Sequence, residues 1–373
     1  MRPFNHHIGY LSFLYICDIV QRAYDKIKIE DMKLSTTAII IAFLAALATT
    51  GCAGKEQKQY SISGMVWNTA YHITYTGDSD LSDSIATVLN RVEMSLSPFK
   101  DNSLISRINR GENVKADHLT AMVFTASQQV SEASSGAFDP TLSPLINLWG
   151  FGYDNAQEEP TQTQIDSCME LVGILECRLN SDGTISKKSP GTTFNFSAIT
   201  KGLGCDETAR MLQRNGVSNY LIEIGGDIAA EGHNSEGADW RIMVDAPVDS
   251  LPGAVPGIAV LNLTDCGVAT SGNYRNHHRT ADGKEIGHTI SASTGRPCAN
   301  STLSATVIAP NAMLADALAT TAMALAPEEA IKVIDNFSNK TAVMLVTATP
   351  EGQRIMKSAR FDSLGRPQTV TVQ

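Results

Sequence analysis

Strand and helix patterns succeed one another along this chain without a regular βαβ rhythm. That order predicts an α+β fold, with a mixed and largely antiparallel sheet against packed helices, rather than a doubly wound parallel sheet. Tyr60 to Tyr75 alternates as strands do, and Tyr220–Ile224, Trp240–Val244, Gly257–Leu263, Thr341–Thr347 and Arg354–Ser358 read as further strands. Strands are also expected between Arg178 and Thr193. Leu81, Ile85, Val88, Leu89 and Val92 recur at helical spacing, with Asp78 or Ser79 as the expected cap. Leu119, Val123, Ala126 and Val130 mark a second helix, and Thr163–Ile174 a third. Thr200–Asn215 should end at Gly216, Ala315–Ala326 should stop at Pro327, and Pro327–Phe337 should form one more helix. Gly150 to Glu159 reads as a loop. No repeat or internal linker interrupts residues 60–373, so they are expected to form one unit.

The N-terminal part reads as an address. Ala38 to Ala48 is an unbroken apolar run, shorter than the roughly 20 residues of a bilayer span. With Met32-Lys33 before it and Gly51-Cys52 after it, the run resembles a lipoprotein signal peptide, residues 32–51, with Cys52 as the lipidated residue. Residues 52–59 then form a tether. The acidic residues among 1–31 do not suit a signal peptide, so Met32 is the expected start and 1–31 an extension ahead of it. The expected location is extracytoplasmic, lipid-anchored to a bacterial membrane, with the periplasmic face favoured. Of seven cysteines none forms a CxxC or zinc-type cluster. Cys168 and Cys177 are near enough in sequence to pair, but buried free thiols are the expected state for most.

A net charge of −10 argues against a nucleic-acid partner, which would require a basic face. An acidic protein that handles a polyanion needs a metal or a few placed cations. Two segments offer them. NFSAITKG (195–202) brings small residues and Lys201 to a strand-to-helix turn, where free N–H groups suit phosphate. ADALATTAM (315–323) puts Asp316 and Thr320 four apart, hence on one helix face, as two hard oxygen ligands for Mg²⁺. Gly225-Gly226-Asp227 breaks a strand, as a tight turn or a ligand contact, and lacks the GxGxxG spacing. His288, following His277 and His278, is either an acid–base group or a hydrogen-bonded structural residue. Thr294-Gly295-Arg296-Pro297 reads as a turn. GxSxG, P-loop and HExxH patterns are absent.

In order, SPFKDNSLISRIN (97–109), GAFDPTLSPLINLWGFG (136–152), NFSAITKGLGCD (195–206), YLIEIGGDIAAEG (220–232), ATSGNY (269–274), HTISASTGRP (288–297) and ADALATTAM (315–323) resemble the ApbE family, the FAD:protein FMN transferases. The resemblance spans most of 60–360. It implies a T-fold-related α+β unit that takes FAD as substrate with Mg²⁺ and transfers FMN through a phosphoester to a Thr or Ser of a partner, releasing AMP. It implies an exported or membrane redox protein, such as a redox-complex subunit, as acceptor. Metal ligands would be the Ala198 carbonyl, Asp316 and Thr320. Flavin or pyrophosphate contacts would be Trp67, Phe99, Ala137, Phe138, Asp139, Asn195, Lys201 and Ile290. Asp316, Lys201 and His288 would be catalytic, with His288 helping to deprotonate the acceptor hydroxyl. The chain departs from the family at Asn195, where Asp is usual, at Trp67, where Met is usual, and at Ser291-Ala292, where the family has Asp-Pro. These departures leave two other outcomes open: an FAD pyrophosphatase releasing FMN and AMP, and a non-catalytic flavin-binding lipoprotein.

Overall fold

The computed structural model describes residues 58–152, 159–247, 257–272, 277–279 and 285–369. The chain divides into Met1–Glu56 and Gln57–Gln373, and every described residue belongs to the second unit. The expected signal peptide, Cys52 and the extension 1–31 lie outside the described residues. The end of the expected tether does not: Lys58 and Gln59 already belong to the first strand.

The strands are β1 (Lys58–Val66), β2 (Thr69–Gly77), β3 (Arg178–Leu179), β4 (Ile185–Ser186), β5 (Asn219–Ile224), β6 (Asp227–Glu231), β7 (Trp240–Asp245), β8 (Gly257–Leu263), β9 (Cys266–Gly272), β10 (His277–Arg279), β11 (Glu285–Gly287), β12 (Thr302–Ala309), β13 (Ala342–Thr349), β14 (Gly352–Lys357) and β15 (Gln368–Thr369). The helices are α1 (Ser82–Leu96), α2 (Leu104–Asn109), α3 (His118–Ala133), α4 (Ser143–Leu148), α5 (Gln162–Met169), α6 (Ser197–Arg214), α7 (Ala312–Ala324), α8 (Pro327–Phe337) and α9 (Phe361–Gly365).

Among the described residues the main sheet has eight strands in the order β1-β2-β5-β6-β9-β12-β13-β14. Each neighbouring pair is antiparallel, so the expected α+β class holds. Helices α1, α3, α6 and α7 cover one face, and the three-stranded sheet β15-β8-β7 covers the other. Strand alternation assigns each side chain its layer. On β12, Val307 and Ala309 join the helix-side core while Ile308 joins the cluster with Leu261 and Phe361. On β13, Val343 and Leu345 face the helices, and Ala342 and Met344 face the small sheet.

Two-sided burial explains what the sequence pattern missed. Strands β9 and β12 lie in the middle of the sheet: β9 is mostly small residues, and the alternating Thr302, Ser304 and Thr306 of β12 are buried rather than facing water. Helices α2 and α4 are six residues each, too short for a periodic signal. The expected strands between Arg178 and Thr193 reduce to the two-residue pairs β3 and β4. The helix expected over Thr163–Ile174 ends at Met169, and Gly173, at φ 148°, separates it from a short 3₁₀ turn, Ile174–Glu176.

Helix ends moved for local reasons. Neither Asp78 nor Ser79 caps α1. The buried Tyr75 hydroxyl accepts from Leu81 N at 2.7 Å and donates to Ser79 O at 3.1 Å, while Asp80 Oδ1 accepts from Ser82 N. Helix α7 starts at Ala312, three residues earlier than expected, because Asn311 Oδ1 accepts from Leu314 N. It stops at Ala324 because Ala326 precedes Pro327 and is held extended, at φ −62° and ψ 147°. Helix α8 has the bounds expected of it. The five cysteines among the described residues are free, including Cys168 and Cys177.

Candidate active site

Asn195 builds the start of α6. Its Oδ1 accepts from Ser197 N at 3.0 Å and from Ser197 Oγ at 2.6 Å, which begins the helix three residues before Thr200. An asparagine does this as well as an aspartate, since only one side-chain oxygen is used. No strand leads in. Asn109 holds the preceding residue on both sides, with Oδ1 accepting from Phe194 N at 2.8 Å and Nδ2 donating to Phe194 O at 2.9 Å. The backbone amide of Asn195 donates to Pro140 O at 2.8 Å, which ties the 136–152 block to the same place. Phe194 and Phe196 stack in the core, with ring centroids 5.8 Å apart.

One turn on, α6 meets α7 at Gly202. A Cβ there would lie 2.2 Å from Ala312 O and 2.8 Å from Met313 Cα, so only glycine allows the two backbones this close. Asp206 fixes the same crossing by accepting from Ala312 N at 2.9 Å and Met313 N at 3.0 Å at the α7 N-terminus. Burial nevertheless pushes the Asp206 carboxyl up to about 6 against the pull of those amides.

This crossing delivers Asp316 to the second turn of α6. Asp316 is buried, and its Oδ2 accepts from Gly202 N at 3.2 Å. In an α-helix that N–H points at the carbonyl four residues back, which is Ala198. The Asp316 carboxylate therefore lies beside the Ala198 carbonyl, and Thr320 follows on the same face of α7. Lys201 Nζ lies 3.5 Å from Asp316 Oδ1 and 2.6 Å from Asp227 Oδ2. Lysine 201 was expected to face phosphate alone; here its ammonium spans two buried carboxylates.

Asp227, in the segment expected to be a tight turn or a ligand contact, reaches Lys201. It opens β6 directly after Gly225 and Gly226, at φ 59° and 93°, and is 1% exposed. Burial, then the adjacent Asp316, hold its carboxyl well above the usual carboxylate range. Burial alone would lower Lys201, yet Asp227 and then Asp316 raise it above the ordinary lysine value. The signal available in sequence was an acidic residue locked behind a two-glycine turn, between strands too apolar to leave it solvated.

Two turns converge on α6 here. A Cβ on Gly225 would meet Thr69 Oγ1 at 2.8 Å and Lys201 Cδ at 3.2 Å. Trp67, at φ 47° in the β1–β2 turn, packs its ring end where a Cβ on Gly204 would come within 2.5 Å. Trp67 is thus brought to the helix that bears Lys201.

The remaining expected residues sit further along. Ala137 and Asp139 line a cavity of about 620 Å³ together with Lys188, Ser291, Ala324 and Glu329. Asp139 is occupied structurally: it accepts from Thr141 N at 2.8 Å, Thr141 Oγ1 at 2.5 Å and Ile174 N at 3.0 Å, and burial raises its carboxyl against those bonds. Phe138 is core, and Phe99 is 64% exposed. Ile290 is buried against Leu142, Leu145 and Trp149. His288 meets Phe151 edge-on, with centroids 6.4 Å apart, three residues before Ser291 enters the cavity wall. The expected turn at 294–297 forms, with Gly295 at φ 65° and its amide on Ser291 O. His277 and His278 lie in β10, and their side chains lie outside the described residues. Asp316, Thr320 and Ala324 follow at i, i+4 and i+8, so one face of α7, about 12 Å long at 1.5 Å per residue, joins the Lys201 cluster to this cavity.

The donor set suits a hard dication. Asp316 meets the Gly202 amide at 3.2 Å, the Lys201 ammonium at 3.5 Å and the Asp227 carboxyl, so a carboxylate oxygen donor sits beside the start of α6. Two buried carboxyl groups share one ammonium, and burial and then their mutual contact hold Asp227 above the usual carboxylate range, a crowding that a bound cation would relieve. Among the described residues no three His, Cys, Asp or Glu side chains gather around a point. That excludes a zinc-type grouping there but not one carboxylate with a carbonyl and a hydroxyl, the oxygen set that Mg²⁺ accepts alongside water and phosphate.

A model of the ApbE family matches residues 67–345, which include the α6–α7 crossing, the Gly-Gly turn and His288. The chain belongs to the ApbE family. It is similar to the FAD:protein FMN transferase of Haemophilus influenzae, with 34% identity over 342 residues, covering 87% of this chain and 96% of that protein. With the FAD:protein FMN transferase of Vibrio cholerae it shares 32% identity over 333 residues, covering 86% and 97%. Its fold matches the flavin transferase ApbE from Vibrio cholerae at a TM-score of 0.74 and 31% identity, over 83% of this chain and 99% of that one. It also matches the apo form of the Pseudomonas stutzeri flavinyl transferase ApbE, at a TM-score of 0.73, 28% identity, and 83% and 97% coverage. The matched structures each cover 83% of this chain, and their match carries the α+β fold with it.

Proposed function

We propose that this ApbE protein is a Mg²⁺-dependent FAD:protein FMN transferase. The carrying observation is that Asp316 meets both the Gly202 amide and the Lys201 ammonium in the second turn of α6. FAD lies along the α7 face with its pyrophosphate at Lys201 and the α6 N-terminus. Asp316, Thr320 and the Ala198 carbonyl would hold Mg²⁺, which would supply charge neutralisation for the pyrophosphate. Lys201 stabilises charge that develops on the phosphate being transferred or on the departing AMP. The acceptor Thr or Ser oxygen attacks the FMN phosphorus, the bridging P–O bond breaks, and AMP leaves. The hydroxyl proton passes to His288, whose loop also carries Ser291 into the cavity wall. Asn195 serves as the helix-starting residue, so the missing carboxylate does not disturb α6.

The test mixes purified protein with FAD, Mg²⁺ and an exported acceptor domain bearing the target Thr or Ser. A covalently fluorescent acceptor and an equal yield of AMP are expected. FMN and AMP without labelled acceptor would replace this reading with an FAD pyrophosphatase, and tight FAD binding without products would replace it with a flavin-binding lipoprotein.

The same reading places the protein outside the cytoplasm, lipid-anchored at Cys52, where exported or membrane redox subunits are its acceptors. Cells fed a radiolabelled fatty acid should label the wild-type protein and leave Cys52→Ser unlabelled. Equal labelling of both would remove the anchor from the proposal.

A further inference from the structure

We propose that Glu223 is a positioning residue for the reaction: it pins the Gly225-Gly226 turn and thereby sets where Lys201 stands. This inference rests on the reading that Lys201 stabilises charge on the phosphate. Ile224 pairs with Asp227 across the two glycines, which form a two-residue hairpin turn with both φ angles positive. Each turn amide is tied down. Gly225 N donates to Ala70 O on β2 at 3.0 Å, and Gly226 N donates to Glu223 Oε1 at 2.6 Å, a short bond to a carboxylate. Lys201 leans on the same turn. Its Cδ lies 3.2 Å from where a Gly225 Cβ would be, and its ammonium ends 2.6 Å from Asp227, the residue that follows the turn.

Glu223 acts on Lys201 from the other side of the sheet. Ile222 and Ile224 turn to the core under α6, so strand alternation puts Glu223 on the opposite face. It stands directly across from His72 on β2, whose Nδ1 lies 2.7 Å from Glu223 Oε2. The His72 side chain is 64% exposed, so that pair is a surface contact worth little, and the Gly226 bond is the one that bears on the site. Without it, a turn made of two glycines has wide conformational freedom. The Lys201 stem and its Asp227 partner both rest on that turn, so its movement passes to the ammonium. A charged group that is no longer held in place loses part of its effect on a developing phosphate charge.

The test measures steady-state AMP release from FAD by variants of the full chain with Mg²⁺ and the acceptor domain. Glu223→Ala should lower kcat about 10-fold, the size of a lost hydrogen bond to a charged group. The KM for FAD should hold, because the loss falls on the transition state. Glu223→Gln keeps an oxygen for Gly226 N and should stay near wild type, as should His72→Ala. Amide exchange at Gly226 should be fast in Glu223→Ala and slow in wild type and Glu223→Gln. In a Lys201→Met background, Glu223→Ala should cost nothing further, which a general loosening of the sheet would not give. A wild-type kcat in Glu223→Ala, an equal loss in Glu223→Gln, uniform exchange at Gly226, or a further loss of the same size on top of Lys201→Met would overturn the proposal. If circular dichroism shows that Lys201→Met does not fold, the contrast between Glu223→Ala and Glu223→Gln decides together with the exchange. A folded Lys201→Met protein that works at the wild-type rate would remove the role of Lys201 itself.

Discussion

Asp316→Ala is expected to lower FMN transfer by about 10²–10³-fold, the scale seen when one preorganised electrostatic group is removed from an active site. Its carboxylate is the only acidic group on the α7 face that meets α6, touching both the Gly202 amide and the Lys201 ammonium. The fold should survive the change. Asp227 and Lys201 remain as a neutral pair, and removing the second carboxylate relieves the crowding that helps hold Asp227 above the usual range. Rate and thermal midpoint should therefore separate, with the rate collapsing and the midpoint nearly constant. Excess EDTA should bring wild type down to the same low rate, and added Mg²⁺ should restore wild type but not the variant. A folded Asp316→Ala protein that transfers FMN at the wild-type rate would end the metal role.

Gly202→Ala should be destabilising, against the usual expectation for a helix interior. Replacing glycine with alanine in a helix ordinarily gains about 1 kcal/mol. Here the new methyl would sit 2.2 Å from Ala312 O and 2.5 Å from Ala312 C, and neither atom belongs to a side chain that could rotate away. Overpacking of this kind costs about 1–3 kcal/mol and sometimes more, and it is relieved only by moving α7. Because α7 carries Asp316 and Thr320, transfer should fall along with stability, measured by urea unfolding and by steady-state rate. Gly204→Ala provides the contrast: its methyl meets the edge of the Trp67 ring, a side chain, and should cost less. If Gly202→Ala were the more stable protein, the close crossing of α6 and α7 would be wrong.

Local signals in the sequence were enough for elements whose periodicity or end chemistry is self-contained. Pro327 at the first position and a strongly amphipathic run define α8 without help from the fold. The hairpin region after residue 60 was legible from alternation, although its turn at Trp67 and Asn68, both at positive φ, was not. Strands β9 and β12 escaped because both their faces are covered, so even the alternating Thr302, Ser304 and Thr306 of β12 do not mark a water-facing side. Asn311 and Asn195 start their helices through single side-chain oxygens, a signal present in the sequence but shared by every turn that contains asparagine.

The chemistry was divided in the same way. By itself the chain determined which residue types were available: small residues with a lysine in 195–202, and an Asp and a Thr one helical turn apart in 315–323. Helical geometry alone puts Asp316 and Thr320 on one face. Only the tertiary structure decided that this face meets the second turn of α6, because Gly202 lets two backbones approach and Asp206 pins the second helix by its free amides. Only the tertiary structure brought in Asp227, about 25 residues from Lys201 on a different element. Charge interactions depend on distance and burial, and neither is set until non-local segments pack, so the sequence could name the charged groups but not which pairs of them would share a site.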